Sequence, residues 1–446
     1  MSKNFIFIFL IALIGCSDND VISKVNVVPD DLNPAVTAYD PERVVNDFIL
    51  VSPMRTDTTF LLNRSGQAIK KWHSESGSVF MAYLLEDGGI LRNHFSTVGH
   101  DIDLPGRIDK LEIRDKSNQL QWEWRLDRTD QALHHDLAIL PNGNILASVW
   151  EIKDRTSCIQ NGRNPNSMFD DRLIFDKIIE IQPIGSNQAN IVWEWNMWDH
   201  LIQDYDINKI NYARIQDNPD KIDINLGAGG ENFSHVNSLH YIEQYDQIVL
   251  SSRVLSEFFI IDHSTTTEQA STGTGGNYGK GGSILSRWGS PSNVTKNDND
   301  MPIFQSQHDA SYVGDFNTSR GNFLVFNNIT PLGTSSVKEV NIPMNLNGEY
   351  LPIDFSGTAV STVWNYENSE IYSRLTSGVQ RLPSGTSFIT SNNSNIMREV
   401  DYEGNIIWEY NIDFENPEFD RIESSGFKAR VYSKNYSGVV ALDLSE

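Results

Sequence analysis

The sequence predicts an all-β protein built as a six-bladed β-propeller, and three observations favour this fold. Six repeated segments end in an apolar strand that carries a tryptophan, at Trp72, Trp124, Trp195, Trp288, Trp364 and Trp408. A second hairpin alternates with these segments, and its clearest copy is Leu140 to Leu146, with Asn142-Gly143 at the turn. Apart from a turn around Trp198 to Tyr205, no stretch of the chain shows helical periodicity.

Two hairpins in each unit make a four-stranded blade, and about six such blades can close into a ring. Weaker copies of the second hairpin occur at Leu85 to Leu91, Tyr241 to Leu250, Tyr312 to Val325 and Leu382 to Thr386. The last copy, near Phe427 to Ser433, is degenerate. A pair of large β-sandwiches is the rival fold, but it does not explain a tryptophan-ended repeat.

The first residues have the pattern of a bacterial lipoprotein signal. Lys3 gives a positive start, and Phe5 to Gly15 is an apolar stretch too short to span a bilayer. This stretch ends directly before Cys16, whereas an ordinary signal peptide ends in an A-x-A-like site. We therefore expect a signal peptide over residues 1–15, followed by a lipidated Cys16 that anchors the protein in the membrane. An unlipidated signal with an unrelated cysteine is the alternative.

The expected domain order follows from this anchor. Residues 16–45 are polar and poor in strand signals, so they are interpreted as a tether, and residues 46–446 form the propeller. The expected location is the cell envelope, either in the periplasm or at the outer-membrane surface. Cys158 then remains as the single unmodified cysteine, which rules out an intrachain disulfide. Its polar surroundings are typical of a loop and argue against a nucleophilic cysteine.

The charge balance excludes one class of partner. The chain has 35 basic and 59 acidic residues, which gives a formal charge of −24. A field of this sign opposes binding to nucleic acid, and an anionic substrate would need a local cationic clamp. Arg253 is the candidate for that clamp. The glycine-rich stretch Gly273 to Gly282 lacks a phosphate-loop pattern and is interpreted as a flexible rim loop near the site.

Three of the ten histidines occupy comparable positions in their repeats. His135, His235 and His308 each stand just before a hairpin of the second type. In an antiparallel hairpin the start of the first strand lies beside the end of the second strand. His235 and Asn237 are therefore expected at the same end of the sheet as Arg253. Because the innermost strands of a propeller line one channel, the three histidines and the arginine are predicted to meet at one mouth.

These residue types suit transfer of a charged tetrahedral group. Histidine can act as nucleophile, acid or base near neutral pH, and an arginine fork matches the oxygens of a sulfate or phosphate group. Asp136 and Asp309 follow His135 and His308 directly, and adjacent residues of a strand point to opposite faces. These aspartates are therefore expected to anchor backbone rather than the neighbouring imidazole.

The chain resembles the PAPS-independent aryl-sulfate sulfotransferases, the arylsulfotransferase propeller family. The resemblance spans about Asn46 to Tyr410 and depends on the ordered combination of several short motifs. These are Leu133-His134-His135-Asp136 with Leu140-Pro141-Asn142-Gly143-Asn144, Phe233-Ser234-His235-Val236-Asn237-Ser238, Leu250-Ser251-Ser252-Arg253, Gly279-Lys280-Gly281-Gly282 with Arg287-Trp288-Gly289, Gln307-His308-Asp309-Ala310 with Phe326-Asn327-Asn328, and Gly378-Val379-Gln380-Arg381-Leu382-Pro383. The chain departs from the family pattern before His235, where Gly230-Glu231-Asn232-Phe233 stands in place of an Asp-Trp, and at Ser384, which replaces the asparagine of Pro-Asn-Gly.

The resemblance implies a role for each matching residue. His308 would take the sulfuryl group from an aryl sulfate and pass it to a phenol, without a metal or a nucleotide cofactor. Arg253 and His235 would hold the sulfuryl oxygens, with Asn237 and His134 as further substrate-binding residues. His135 would assist proton transfer at the phenol oxygen. Association into oligomers stays open.

Two other functions compete with this hypothesis. Three converging histidines also describe a zinc or copper centre of a metal-dependent hydrolase, although the charge of Arg253 would repel a cation. A non-catalytic ligand-binding propeller explains the repeats but not the cluster. The histidines could also be satisfied polar residues with a structural role alone.

Overall fold

The computed structural model describes residues 32–95, 99–227, 229–314, 321–352, 361–412 and 426–444. Its strands are, in chain order, β1 (Val36–Tyr39), β2 (Phe48–Val51), β3 (Thr58–Leu62), β4 (Ala68–His73), β5 (Val79–Leu84), β6 (Ile90–Phe95), β7 (Ile108–Arg114), β8 (Leu120–Trp124), β9 (Gln131–Ile139), β10 (Ile145–Asp154), β11 (Arg172–Ile184), β12 (Gln188–Asn196), β13 (Leu201–Ile202), β14 (Ile222–Asp223), β15 (Val236–Ile242), β16 (Gln247–Ser252), β17 (Glu257–Asp262), β18 (Ser286–Trp288), β19 (His308–Tyr312), β20 (Asn322–Asn327), β21 (Ser335–Asn341), β22 (Ser361–Asn368), β23 (Gly378–Arg381), β24 (Ser387–Ser391), β25 (Ile396–Val400), β26 (Ile406–Asn411) and β27 (Arg430–Tyr432). The helices of these ranges are short: α1 (Arg155–Gln160), α2 (Thr267–Ala270), α3 (Ser292–Thr295) and α4 (Ser437–Ala441).

The predicted six-bladed β-propeller is confirmed by the order of these strands. Four blades consist of consecutive antiparallel strands: β5–β8 form blade 2, β9–β12 blade 3, β15–β18 blade 4 and β19–β22 blade 5. Blade 1 has the order β27-β2-β3-β4, and blade 6 has the order β1-β26-β25-β24-β23. The strands β13 and β14, which lie between blades 3 and 4 in the sequence, form a separate small parallel sheet.

The two ends of the described chain close the ring. The strand β27 pairs with β2 and supplies the innermost strand of blade 1, with Phe48 opposite Tyr432. The degenerate last hairpin predicted near Phe427 to Ser433 is therefore a single strand that completes a blade begun at the other end of the chain. At the opposite edge, β1 pairs with β26 as the fifth strand of blade 6.

The strand β1 corrects the predicted tether over residues 16–45. Ala35 and Val36 are buried and pack in the same core cluster as Trp408 and Tyr410 of blade 6. A strand of four residues is too short to show a periodic pattern, so it is not predictable from the sequence. The propeller thus begins before residue 46. Residues 1–31, including the predicted signal segment and Cys16, lie outside the described ranges.

Tryptophans of the outer strands bind five of the six blades to the blade that follows. Five of them donate their indole N–H to a backbone carbonyl of the following blade, because a buried indole nitrogen needs a partner. These bonds are Trp72 to Asp115, Trp122 to Gln188, Trp195 to Gly282, Trp364 to Tyr402 and Trp408 to Arg64. In blade 2 the donor to the next blade is Trp122, two residues before the tryptophan that the repeat pattern singled out.

Two local expectations differ from the structure. The surroundings of Cys158 form the helix α1 rather than a loop, and the thiol is buried in the core, where burial raises its pKa to about 12. The glycine-rich stretch lies far from the predicted position, since Tyr278 donates to the carbonyl of Tyr245 at the turn between β15 and β16. That turn is the end of the hairpin opposite His235. Within the described ranges, no helix is long and apolar enough to cross a membrane.

Candidate active site

Four of the predicted residues meet at one cavity. His135, His235, Arg253 and His308 all line a space of about 440 Å³ at the mouth of the ring. They come from the inner ends of blades 3, 4 and 5, and the backbone N–H of Arg253 donates to the carbonyl of His235 at 3.1 Å. The hairpin of β15 and β16 therefore places these two residues side by side, as its register predicts.

A β-bulge turns each of the three inner strands at this mouth. In blade 3 the pairing jumps from Ala147–Leu137 to Ser148–His134, so that His135 and Asp136 are extra residues. Similar breaks in register lie beside His235 in blade 4 and His308 in blade 5. Bulges of this kind often re-aim side chains next to active sites.

The backbone at these bulges is strained. His135, His235 and Asp309 have φ values of 46°, 53° and 55°, in the left-handed region that residues other than glycine rarely adopt. Such positions cost roughly 1–3 kcal/mol each and persist only where the surrounding fold holds them. Strained positions of this kind cluster at active sites and ligand sites.

The protonated nitrogen of His308 is fixed by its neighbours. Asn328 donates through Nδ2 to the carbonyls of Ser373 and Thr376, at 2.9 and 2.8 Å, which sets the orientation of its amide. Its Oδ1 then accepts from His308 Nδ1 at 2.7 Å, and the carbonyl of Ser306 lies 3.0 Å from the same nitrogen. Nδ1 therefore carries the hydrogen, and the lone pair is on Nε2.

Arg253 is a cation without a carboxylate partner in the described part of the chain. No ion pair joins its guanidinium to an acid there, and its Nε is buried without a hydrogen bond. Burial and the charge of Arg374 lower its pKa, yet the group stays charged at neutral pH. Since a buried charge needs compensation, this position favours an anion in the cavity.

The three histidines are neutral at physiological pH. Burial, opposed by the hydrogen bond to Asn328 and assisted by the charge of Arg253, lowers the pKa of His308 to about 4. Burial and then the charge of Arg253 bring the pKa of His235 well below 6.5. The pKa of His135 is also well below that value, because of burial and the adjacent His235, whose ring centroid is 4.7 Å away. Neutral imidazole is the form that can act as a nucleophile or a base.

One wall of the cavity is apolar and suits an aromatic ring. It is formed by Met54, Phe80, Phe95, Leu104, Pro105 and Leu375. Gly106 (φ 93°) lets the rim loop approach His135 closely, since a Cβ atom at this position would lie 2.2 Å from the imidazole. Phe427 lies below, with its ring centroid 5.8 Å from that of His135 and 6.0 Å from that of His308. A planar group between this wall and the histidines would be held with its polar end toward Arg253.

Two predicted substrate-binding residues do not line the cavity. His134 is fully buried behind His135, stacked on Trp150 at 4.1 Å between ring centroids. Asn237 is also fully buried, and its amide donates to the carbonyl of Gln307 at 2.7 Å. The bulges explain both corrections, because they direct His135 and His235 into the cavity and leave the other residues of the motifs in the wall.

Asp136 and Asp309 anchor backbone, as expected. Asp136 accepts from the backbone N–H of Leu137 and of Leu239, and Asp309 accepts from that of Val379. Both also bind cations from the closing segment of the chain, because Lys428 Nζ lies 2.6 Å from Asp136 and 3.1 Å from Asp309. The aspartates therefore join neighbouring inner strands across the channel.

Several residues of the site were not predicted from the sequence. Asn232 lies 2.7 Å from His235 Nδ1, and Asn328 and Thr376 belong to the wall around His308. Asp176, 3.0 Å from His134, stands in the apolar run Leu173 to Ile179. A carboxylate in the middle of an apolar strand was the signal that could have identified it.

Among the described residues, no group of three or more His, Cys, Asp or Glu side chains is arranged to hold a metal ion.

Comparison with solved structures returns matches of low sequence identity. A protein of unknown function from Bacteroides caccae shares 10% identity, with 86% of this chain and 98% of that chain covered and a TM-score of 0.46. The β-propeller domain of Cps50 (Swd1) from Myceliophteria thermophila shares 10% identity, covering 85% and 90%, with a TM-score of 0.43. Virginiamycin B lyase from Staphylococcus aureus, in a catalytically inactive form with quinupristin, shares 10%, covering 83% and 86%, with a TM-score of 0.39.

The family comparison is more specific. No curated protein sequence matches the chain significantly. The family model described as arylsulfotransferase (ASST) matches residues 40–420, a range that includes the six blades apart from the edge strand β1 and the closing strand β27. It contains the four residues that line the cavity together, and it covers most of the sequence. The chain therefore belongs to the arylsulfotransferase family.

Proposed function

We propose that the protein moves a sulfuryl group from an aryl sulfate to a phenol through a sulfated His308, without PAPS or a metal. Family membership supports aryl sulfotransferase activity in general. The observation that carries the finer proposal is the tautomer of His308, whose Nε2 lone pair is available in a cavity that also holds the unpaired Arg253.

The chemistry follows from these positions. His308 Nε2 attacks the sulfur, the bond between sulfur and the aryl oxygen breaks, and the leaving phenolate takes up the proton that His135 accepted from the acceptor phenol of the preceding turnover. In the second half-reaction His135 takes the proton of the acceptor phenol, whose oxygen attacks the sulfur and releases His308. Arg253 and His235 stabilise the charge on the sulfuryl oxygens, where preorganised donors contribute most to such transfers.

The apolar wall supports an aryl group on the leaving oxygen. Phe80 and Phe95 pack edge to face with 4.7 Å between their centroids, which makes a rigid aromatic surface beside His135. An alkyl sulfate would leave much of this surface exposed to water. The geometry thus favours aryl over alkyl donors and phenols over aliphatic alcohols as acceptors.

A burst experiment tests the covalent step. With 4-nitrophenyl sulfate and no acceptor, we expect release of about one 4-nitrophenol per active site and a mass gain of one sulfuryl group on His308. His308→Ala should lose both the burst and the mass gain. The matched control is His73→Ala, at an exposed histidine of blade 1, which should keep both. A burst that survives in His308→Ala would refute the assignment.

We also propose that Cys16 is the lipidated N-terminus and that the enzyme is anchored in the cell envelope, in the periplasm or at the outer-membrane surface. The motif Leu13-Ile14-Gly15-Cys16 after an apolar segment supports this location. The test is mass spectrometry of the N-terminal peptide after expression in a bacterium. A Cys16→Ser variant should leave the membrane fraction, and a variant that stays there would contradict the anchor.

A further inference from the structure

A buried chain of side chains runs from the cavity into the wall of blade 3. Nδ1 of His135 lies 3.1 Å from Nδ1 of His134, and Nε2 of His134 lies 3.0 Å from Oδ1 of Asp176. His134 and Asp176 are fully buried. The distance at Asp176 is that of an ion pair, although the N–H direction departs from an ideal hydrogen bond.

Both inner members of this chain are held in place. Oδ2 of Asp176 accepts from the backbone N–H of Val236 at 3.0 Å and from the hydroxyl of Ser234, so Oδ1 is left for His134. The ring of His134 lies flat on Trp150, with 5° between their planes. The imidazole therefore cannot turn to face the cavity, and it meets the substrate only through His135.

Only one hydrogen can lie between Nδ1 of His134 and Nδ1 of His135. Asp176 as a carboxylate is an acceptor only, so it requires the hydrogen of His134 on Nε2. In neutral His134 the atom Nδ1 is then an acceptor, which places the shared hydrogen on His135 Nδ1. His135 Nε2 is left with a lone pair, and a phenol in the cavity can give its proton to that atom.

We propose that His134 and Asp176 are positioning residues that enable His135 to take the proton of the acceptor phenol. The O–H bond breaks and a bond from hydrogen to His135 Nε2 forms, while the Nδ1 hydrogen of His135 passes to His134 Nδ1. The positive charge then lies on His134 beside Asp176. The steps reverse when a phenolate leaves the donor. This inference rests on the proposed sulfuryl transfer.

The surroundings of His135 explain why such a device is needed. The groups that face it are His235, His308, His134 and Arg253, and burial together with these groups lowers its pKa well below 6.5. A histidine in this position is a weak base if the charge stays on its own ring. Moving the charge to His134 places it 3.0 Å from the carboxylate of Asp176, which attracts it.

The test separates the two half-reactions. Wild-type protein and the variants His134→Phe, His134→Gln and Asp176→Asn are loaded with 4-nitrophenyl sulfate, freed of 4-nitrophenol, and mixed with phenols of graded acidity. Loading should stay close to the wild-type rate, because 4-nitrophenolate leaves without a proton. Transfer to weakly acidic phenols should fall about 100-fold in all three variants, and transfer to phenols already ionised at the assay pH should be little changed.

Two variants decide between proton transfer and mere packing. Glutamine at position 134 can accept the Nδ1 hydrogen of His135 and donate to Asp176, but it cannot take up a proton. Wild-type rates in His134→Gln, or equal slowing with every acceptor, would overturn the proposal. Trp150→Phe is the packing control, and any slowing there should be uniform across the phenols. Variants that bind donor but fail to load would likewise refute this role for His134, whereas a wild-type protein that does not load refutes the sulfohistidine itself.

Discussion

The channel contains two clusters of polar side chains that differ in how their charges are compensated. One group, the channel network, consists of Asp136, Asp309, Lys428 and Arg430, and each charge there has an opposite charge in contact. Burial would raise the pKa of Asp309, but the charges of Arg430 and Lys428 bring it well below its usual range. The other group is the cavity, where Arg253 has neutral histidines as neighbours. The comparison separates a structural network from a binding site by one criterion, the presence of a counter-charge within the fold.

The largest expected effect comes from breaking the channel network. Lys428→Met removes a cation that contacts both aspartates, and breaking a buried ion pair by removing one partner costs about 3–5 kcal/mol. The free energy of unfolding, measured by guanidinium denaturation, should fall by this amount. The control is Lys280→Met at an exposed lysine, which should change stability little. If Lys428→Met and Lys280→Met had equal free energies of unfolding, the channel network would not be a structural element distinct from the cavity.

The complementary change in the cavity should affect turnover instead of stability. Arg253→Met removes a half-buried cation that has no counter-charge among the described residues, so the free energy of unfolding should be unchanged or higher. Sulfuryl transfer should fall by about 100- to 1000-fold, the usual effect of deleting a donor to developing negative charge. Arg253→Lys should be nearly as slow, because lysine lacks the planar fork. Near-normal turnover in the lysine variant would mean that no fork holds the transferred group.

The pH dependence of the burst tests the neutral state of His308. Since its folded pKa of about 4 is below the usual 6.5, the nucleophile stays neutral as pH falls through 6.5 and becomes protonated near 4. The burst rate, measured by quenched flow, should be level down to about pH 5 and fall about tenfold per unit below 4. The depressed pKa also contributes stability that is full above 6.5 and lost between 6.5 and 4. A midpoint near 6.5 in the rate would show a solvated imidazole.

The smallest effect expected is stabilisation by inorganic sulfate. An anion that binds only the folded cavity should stabilise the protein by about 1.4 kcal/mol at a concentration about ten times its Kd. The Tm of the wild type should rise, and the rise should vanish in Arg253→Met. It should persist in Lys428→Met, because the network already holds its own anions. If the rise in Tm with sulfate were lost in Lys428→Met and kept in Arg253→Met, the anion site would lie in the channel network instead of the cavity.

Contacts that are close in the sequence were the ones that could be predicted. The hairpin of β15 and β16 follows from its alternating pattern, and with it the pairing of His235 and Arg253, which are 18 residues apart. The repeat also predicted six blades. The alternation of apolar and polar residues does not reveal where a bulge lies. The sequence alone therefore could not show that His135 points into the cavity and that His134 is buried behind it.

Contacts between distant parts of the chain were missed for another reason. Lys428 meets Asp136 across 292 positions, and the indole of Trp408 meets the carbonyl of Arg64 across 344. No periodicity links such pairs, since each depends on how the whole ring closes. The same reason applies to β1, which the sequence assigns to a tether, and to β27, which it assigns to a degenerate hairpin, because each strand pairs with a partner near the other end of the described chain.

The closing strand has a consequence for the order of events during synthesis. Phe427, under His135 and His308, and Lys428 stand just before β27, which emerges from the ribosome after the other strands of the propeller. Until then blade 1 lacks its innermost strand, and His135 and His308 lack the aromatic ring that packs beside them. A nascent or prematurely terminated chain would therefore contain every histidine of the site without the packing that holds two of them in place. Synthesis of the closing strand thus completes the site.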